Sequence, residues 1–295
     1  ILQNLYYSNA ATVTFLKPDG TEETISLNAA QYQSNPIVLD SIYETAGLKV
    51  GYLSFQSFLG DTGQIFNEFR RVFDNFSVNN VEEVIIDLRY NGGGYISIQD
   101  ELANYLVPSS KNNTVMMKQE YNNKYSDFNS TTLFSKTGNL NLSRVFFIVT
   151  ENTASASELL INNLDPHMDV KIIGRNPSYG KPVGYFPIEV GDWYIFPISF
   201  RSTNSTGSGN YFDGFIPDYM AADDVTRNWG DIEEASLAEA LKQIGILNPA
   251  SVELAGRAAI PTAIEVDPAV DRANRKFTKD DFRGMVDTRS MQFEK

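Results

Sequence analysis

At 295 residues, 42% hydrophobic and 21% charged, the chain is long enough to bury a sizeable core, and its composition argues against wholesale disorder. A formal net charge of -13 argues against a nucleic-acid partner and against docking on an anionic membrane, since both need a basic face. No cysteine occurs, which removes disulfides, thiolate metal sites and cysteine nucleophiles, and the single histidine is His167.

The chain opens in "ILQNLYYSN", with neither an initiator methionine nor a signal-like run, and is read as a fragment of a longer precursor. No apolar run reaches the roughly 20 residues that cross a bilayer. "TVTFLKPDGTEETISL" alternates apolar and polar residues about Asp19-Gly20 and predicts a hairpin. A polar stretch follows, then a strand over Lys49 to Phe55. From Thr62, the spacing of Ile65, Phe66, Phe69, Val72, Phe73 and Phe76 predicts a helix with one apolar face. "EEVIIDL", Glu82 to Leu88, is a short apolar run ending in a polar turn, as a buried strand does.

"YISIQDELANYLVP" reads as a helix stopped by Pro108. Residues 109–143 are polar and read as a surface excursion with some strand. "RVFFIVT", Arg144 to Thr150, is a second buried strand with the helix "SELLINNL" behind it. "VKIIG", "GYFPIEV" and "DWYIFPISF" add strands, and Asp231 to Gly245 forms an amphipathic helix closed by glycine. Strand, polar turn and helix in succession predict βα units and a mostly parallel sheet, an α/β fold. The last fifty residues read as a polar appendage.

Ligands of open α/β sheets gather where strands end and helices begin, and two such junctions stand out. The first is "DLRYNGGGY", Asp87 to Tyr95. Its three glycines let the backbone approach a ligand, with N–H groups free to face an anion as a helix begins; a plain tight turn fits as well. The spacing is neither that of a P-loop nor that of a dinucleotide site, whereas an oxyanion hole needs only backbone amides. The second junction is "TENTASASELL", Thr150 to Leu160. Ser155 or Ser157 there would expose a hydroxyl beside helix N-terminal amides. Alone, the stretch reads better as an N-cap, a role open to Thr153, Ser155 and Ser157 alike.

A serine nucleophile needs a base. His167 lies twelve positions after Ser155, about 18 Å along a helix, too far for a triad. Lysine is the remaining candidate, and it must be neutral and desolvated to act. "SYGKPVGYF" holds Lys181 between Gly180 and Pro182, a place where a lysine can be fixed and stripped of water; a solvated loop lysine is the competing reading. Ser178 to Lys181 also spells S-x-x-K, but Gly180 and Pro182 spoil the helix that motif requires, and its companion motifs are absent.

Three blocks in order, "VIIDLRYNGGG", "TASASELL" and "IIGRNPSYGKPVG", resemble the tail-specific, or C-terminal processing, serine peptidases, over roughly residues 50–245. The resemblance implies a β-rich α/β core of the ClpP/crotonase type. It implies Ser155 as nucleophile, Lys181 as general base, and backbone amides of Gly93 and Ala156 as the oxyanion hole. It implies no cofactor and no metal. The family often has G-K-G-x-x-Q, whose glutamine orients the lysine; here Tyr185 stands at that place, and Tyr185 and Ser199 are the candidate partners. An acidic third member would fall at Asp165. "NLYYSNAATVTFLKPDGTEETISLN" is similar to the end of a PDZ domain, which divides the chain into a PDZ remnant (1–30), a peptidase core (31–248) and a C-terminal extension (249–295). "YFDGFIPDYMAADD", Tyr211 to Asp224, matches an element that the family carries after its lysine. The expected partners are protein or peptide substrates engaged through unstructured tails, and the expected setting is the bacterial cell envelope. A non-cutting, peptide-binding relative is the alternative reading. A crotonase-like acyl-thioester enzyme on the same broad fold is a second rival, but the glycine block offers no convincing Glu to serve as its carboxylate base.

Overall fold

A computed structural model describes residues 8–17, 19–30, 35–45, 47–246 and 284–286. The hairpin about Asp19-Gly20 is present as β1 (Ala10–Leu16) and β2 (Glu22–Asn28), a two-stranded sheet of its own.

The centre of the fold is a six-stranded sheet in the order β15-β10-β9-β5-β4-β3. Its strands are β3 (Ile37–Thr45), β4 (Leu48–Phe55), β5 (Glu83–Asp87), β9 (Arg144–Ile148), β10 (Asp169–Gly174) and β15 (Tyr219–Met220). β4, β5, β9, β10 and β15 run parallel, and β3 closes one edge antiparallel. Both faces are covered, as a parallel sheet requires. Val84, Ile86, Val145 and Phe147 turn to one face, where α1 (Thr62–Val78), α2 (Ile96–Leu106) and α3 (Ala156–Leu164) lie. Ile85, Phe146 and Ile148 turn to the other, against Leu237, Ala240 and Leu241 of α4 (Ala235–Ile244). Burial on both sides is why "EEVIIDL" and "RVFFIVT" read as unbroken apolar runs instead of alternating ones.

α1 places Ile65, Phe69, Val72, Phe73 and Phe76 in the core, the spacing expected, and Asp61 caps it by accepting the Gln64 N–H at 2.7 Å. α4 starts at Ala235, four residues later than the sequence suggested, because Glu234 is its cap and accepts from the Ser236 and Leu237 amides. Gly245 ends α4 in a left-handed turn, as expected.

A second six-stranded sheet has the order β6-β16-β11-β14-β7-β8. It is built from β6 (Gly93–Tyr95), β7 (Val115–Tyr121), β8 (Ser130–Leu133), β11 (Val183–Tyr185), β14 (Ile198–Asn204) and β16 (Gly284–Val286). Two expectations are corrected here. Residues 109–143 are no mere surface excursion, since Met116, Met117, Phe134, Leu140 and Leu142 are buried. "GYFPIEV" and "DWYIFPISF" are each broken in two at Phe186-Pro187 and Phe196-Pro197, because proline cannot donate to a ladder. The outer pieces, β12 (Ile188–Val190) and β13 (Trp193–Ile195), pair only with each other. The C-terminal extension, where the structure describes it, is a strand inside this sheet. The rest of the extension, and residues 1–7, lie outside the described residues.

Candidate active site

β9 ends at Ile148, and the turn that follows delivers Ser155 as the N-cap of α3. Ser155 has φ 59° and ψ -105°, a backbone conformation that costs a non-glycine residue about 1–3 kcal/mol and persists only where the surroundings impose it. Those surroundings are specific. The Thr153 hydroxyl donates to Leu88 C=O at 2.8 Å and accepts the Thr150 N–H at 3.0 Å. The Ser157 hydroxyl donates to Asn91 C=O at 2.9 Å, and the Ala154 N–H reaches the same carbonyl at 3.0 Å. Two of the three hydroxyls are thus spent fastening the turn to the glycine block. The Ser155 hydroxyl is fully buried and has no hydrogen-bond partner among the described residues. Ser155 and Glu158 hold the positions of a capping box, with the Glu158 carboxylate on the Ser155 N–H, yet the Ser155 oxygen makes no cap hydrogen bond, and capping is the ordinary reason for a serine there.

Glu158, in the first turn of α3, makes the second fixed point. One carboxylate oxygen accepts the Ser155 N–H at 2.9 Å and the Lys181 N–H at 2.8 Å; the other accepts the Gly180 N–H and the Ser178 hydroxyl, both at 2.6 Å. Two nitrogens bonded to one oxygen are no farther apart than the sum of those lengths, so the backbones of Ser155 and Lys181 are neighbours. Burial raises the Glu158 pKa from its ordinary value against the pull of the Ser178 hydroxyl and the three amides. All four partners are donors, so the carboxylate is the form they satisfy. Gly180 has φ 87°, and a Cβ there would strike the Phe212 carbonyl, so glycine is required before the lysine.

The Lys181 Nζ lies 4.6 Å from the centre of the Tyr185 ring, in cation–π range, so one candidate partner touches the lysine. Ser199 is engaged elsewhere: its hydroxyl accepts the Phe186 N–H at 3.2 Å and donates to Pro197 C=O at 2.8 Å.

Ala156 is the first residue of α3, so its N–H belongs to the set that no intrahelical carbonyl can satisfy. The Gly93 N–H donates to the Asn91 side-chain oxygen at 3.0 Å. Asn91 is fully buried and central, since its side-chain NH2 also holds Phe55 C=O at 2.9 Å. Asp165 does not join the site. It is exposed at the C-terminal end of α3, ten positions from Ser155 at the N-terminal end, about 15 Å of helix away. His167 lies beyond it, its Nε2 3.0 Å from Val115 C=O and its ring edge-on to Phe134. Asn91 and Glu158 stand inside the sequence blocks, but nothing in their residue types announced that they organise the site; only their burial reveals it. The S-x-x-K serine, Ser178, is likewise structural: it bridges Glu158 and the Phe215 N–H.

Beneath the glycine block, Arg89 is buried and pairs with Asp87 at 2.7 Å, Glu234 at 2.8 Å and Asp223 at 3.1 Å. Burial opposes its charge, but the Asp87 and Glu234 carboxylates outweigh that and raise its pKa. Tyr90 adds a hydroxyl bond to Asp223 and an edge-on contact with Trp229. Among the described residues, no group of three or more His, Cys, Asp or Glu is arranged to hold a metal, and no helix is long and apolar enough to cross a membrane.

Carboxy-terminal processing protease CtpB of Bacillus subtilis is 24% identical over 177 residues, 59% of this chain and 34% of that protein, so the chain spans about a third of that relative. A solved S41 protease of Bacteroides fragilis has a TM-score of 0.69 at 28% identity, over 80% of this chain and 66% of that one. The photosystem II D1 C-terminal processing protease shares the mixed α/β fold at 21% identity, with a TM-score of 0.53 over 76% of this chain and 56% of its own. The model of peptidase family S41 matches residues 49–220, more than half of the sequence, and the chain belongs to that family.

Proposed function

We propose that this chain carries the catalytic core of a serine endopeptidase of the C-terminal processing type, acting through a Ser155–Lys181 dyad on peptide substrates. The observation that carries the reading is the state of Ser155: buried, held at positive φ, its hydroxyl spent on nothing, and its amide sharing one carboxylate oxygen with the amide of Lys181. In the reaction, Ser155 Oγ attacks the scissile carbonyl carbon and its proton passes to neutral Lys181 Nζ. The oxyanion is held by the Ala156 N–H and, once it leaves the Asn91 oxygen, the Gly93 N–H. Lys181 returns the proton to the leaving amine as the C–N bond breaks. Water, deprotonated by the same lysine, then cleaves the acyl-enzyme.

Membership of family S41 supports the peptidase class, and the named relatives support processing at C-termini. The hairpin of β1 and β2 fits the end of a PDZ domain on sequence resemblance alone, and the cell envelope as its location rests on the same ground. The test is cleavage of an unstructured peptide by the wild-type chain and by Ser155→Ala and Lys181→Ala, with folding followed by circular dichroism. Each variant loses cleavage and keeps the fold; full activity in either refutes the dyad. One observation favours a chain that binds peptides without cutting them, namely that the Gly93 N–H is already satisfied. Covalent labelling of Ser155 by a fluorophosphonate separates the two readings.

A further inference from the structure

The strand β16 lies between β6 and β11 and runs parallel to both. Gly284 is opposite Gly93; Met285 is opposite Gly94 on one side and Gly184 on the other; Val286 is flanked by Tyr95 and Tyr185. β6 and β11 are not neighbours without it. With β16 removed, their facing edges would stand two inter-strand spacings apart, about 10 Å, the room for one extended chain. That lane has the Gly93 strand as one wall, and its other wall begins two residues after Lys181. α3, with Ser155 at its head, packs against both β6 and β16. Opposed unpaired edges are templates for adding an extended peptide, backbone to backbone. Both walls offer a glycine beside Met285, so no flanking side chain crowds the occupant there.

We propose that Gly284–Val286 occupies the lane a substrate strand must use, making the C-terminal segment a tethered competitor of the protein's own substrates. This rests on the peptidase reading. A peptide entering the site must first displace the segment, and it would lie parallel to β6 and β11 as the segment does. Covalent attachment makes the competitor's binding intramolecular, so weak free peptides lose to it.

The test uses the full chain and two variants, Met285→Pro and Val286→Pro, each removing a strand N–H. Either variant that folds suffices. Both are expected to raise kcat/KM for an unstructured fluorogenic peptide about tenfold through KM, with kcat unchanged. A synthetic peptide of residues 281–288, DFRGMVDT, is expected to inhibit the variants competitively and the wild type weakly. A fluorescent form of that peptide is expected to bind Ser155→Ala/Met285→Pro, read by anisotropy, and to bind Ser155→Ala at least tenfold more weakly. This last measurement needs no cleavage, so an inert enzyme would sink the peptidase reading while the lane is still decided. Equal binding to the two variants, or fast hydrogen exchange of the Gly284–Val286 amides in the wild-type chain, would overturn the proposal.

Discussion

Replacing Glu158 by alanine removes the acceptor of four donors at once, and the structure sets the scale of the damage. The Ser155 N–H is fully buried and would be left without a partner, at about 1–3 kcal/mol. Gly180 and Lys181 are half-buried, so water can reach their amides, and each loses a net hydrogen bond of about 1 kcal/mol. The Ser178 hydroxyl can turn to a new partner. The total is about 3–5 kcal/mol, a large part of the 5–15 kcal/mol that holds a domain together. At about 2–4 °C per kcal/mol for a chain of this size, the melting temperature should fall by about 10 °C. Glu158→Gln keeps one oxygen for Ser155 and Lys181 and strands only the Gly180 amide, so it should lie between alanine and wild type. The site should suffer more than the fold. Measured well below the melting point, fluorophosphonate labelling of Ser155 should slow sharply in Glu158→Ala, because the lysine-bearing loop has lost its tie to α3. A Glu158→Ala protein that melts within 2 °C of wild type and labels at the same rate would refute the argument.

Ser155→Gly should abolish cleavage yet melt about 2–4 °C above Ser155→Ala, since glycine relieves the positive φ for about 1 kcal/mol net, whereas Ser157→Ala should lose about 1 kcal/mol with its bond to Asn91 and still label at Ser155; thermal melts of the three variants decide it. Burial lowers the Lys136 pKa to about 8 while its ammonium donates to Tyr105 C=O at 2.7 Å. A depressed folded-state value means that the unfolded chain binds the extra proton between pH 8 and about 10.4, so stability rises with pH through that window. The melting temperature of wild type relative to Lys136→Met should therefore climb from pH 7.5 to pH 10.5, and a flat difference would show that the ammonium carries no burial cost.

The βα layout was legible because burial on two faces leaves a sequence mark: Val84 to Ile86 and Val145 to Ile148 could be little else than central strands. β3 left a weaker mark. Its Asp40 and Ser41 have intermediate exposure on an edge strand and its Glu44 is exposed, so the segment read only as a polar stretch. β16 left none, since three residues cannot show a period and its pairing is wholly non-local. For the candidate site, the serine and lysine proposed as its dyad were legible through elimination and resemblance. The oxyanion geometry was not, because whether the Gly93 amide faces a substrate or Asn91 is a matter of one peptide's orientation, and glycine permits both.

The strain at Ser155 needs opposing anchors, and the fold supplies them from both sides of the central sheet. Arg89 ties the end of β5 to Glu234, the cap of α4 on one face, and stacks 4.8 Å from the Trp229 ring. Asn91, two residues on, ties the same loop to Phe55 at the end of β4 and to Ala154 and Ser157 at the start of α3 on the other face. A loop pinned between two layers cannot shift to let Ser155 relax, and the turn bearing Ser155 is pinned in turn to that loop. Glu158 then passes the position of Ser155 on to Lys181. The three blocks of sequence, far apart in the chain, are thus joined through the Asn91 carbonyl, the Thr153 and Ser157 hydroxyls and the buried Glu158 carboxylate. Preorganisation of this kind is what nucleophilic catalysis demands of a scaffold, and it locates the freedom of the site in the Gly93 peptide and in whichever chain fills the lane beside it.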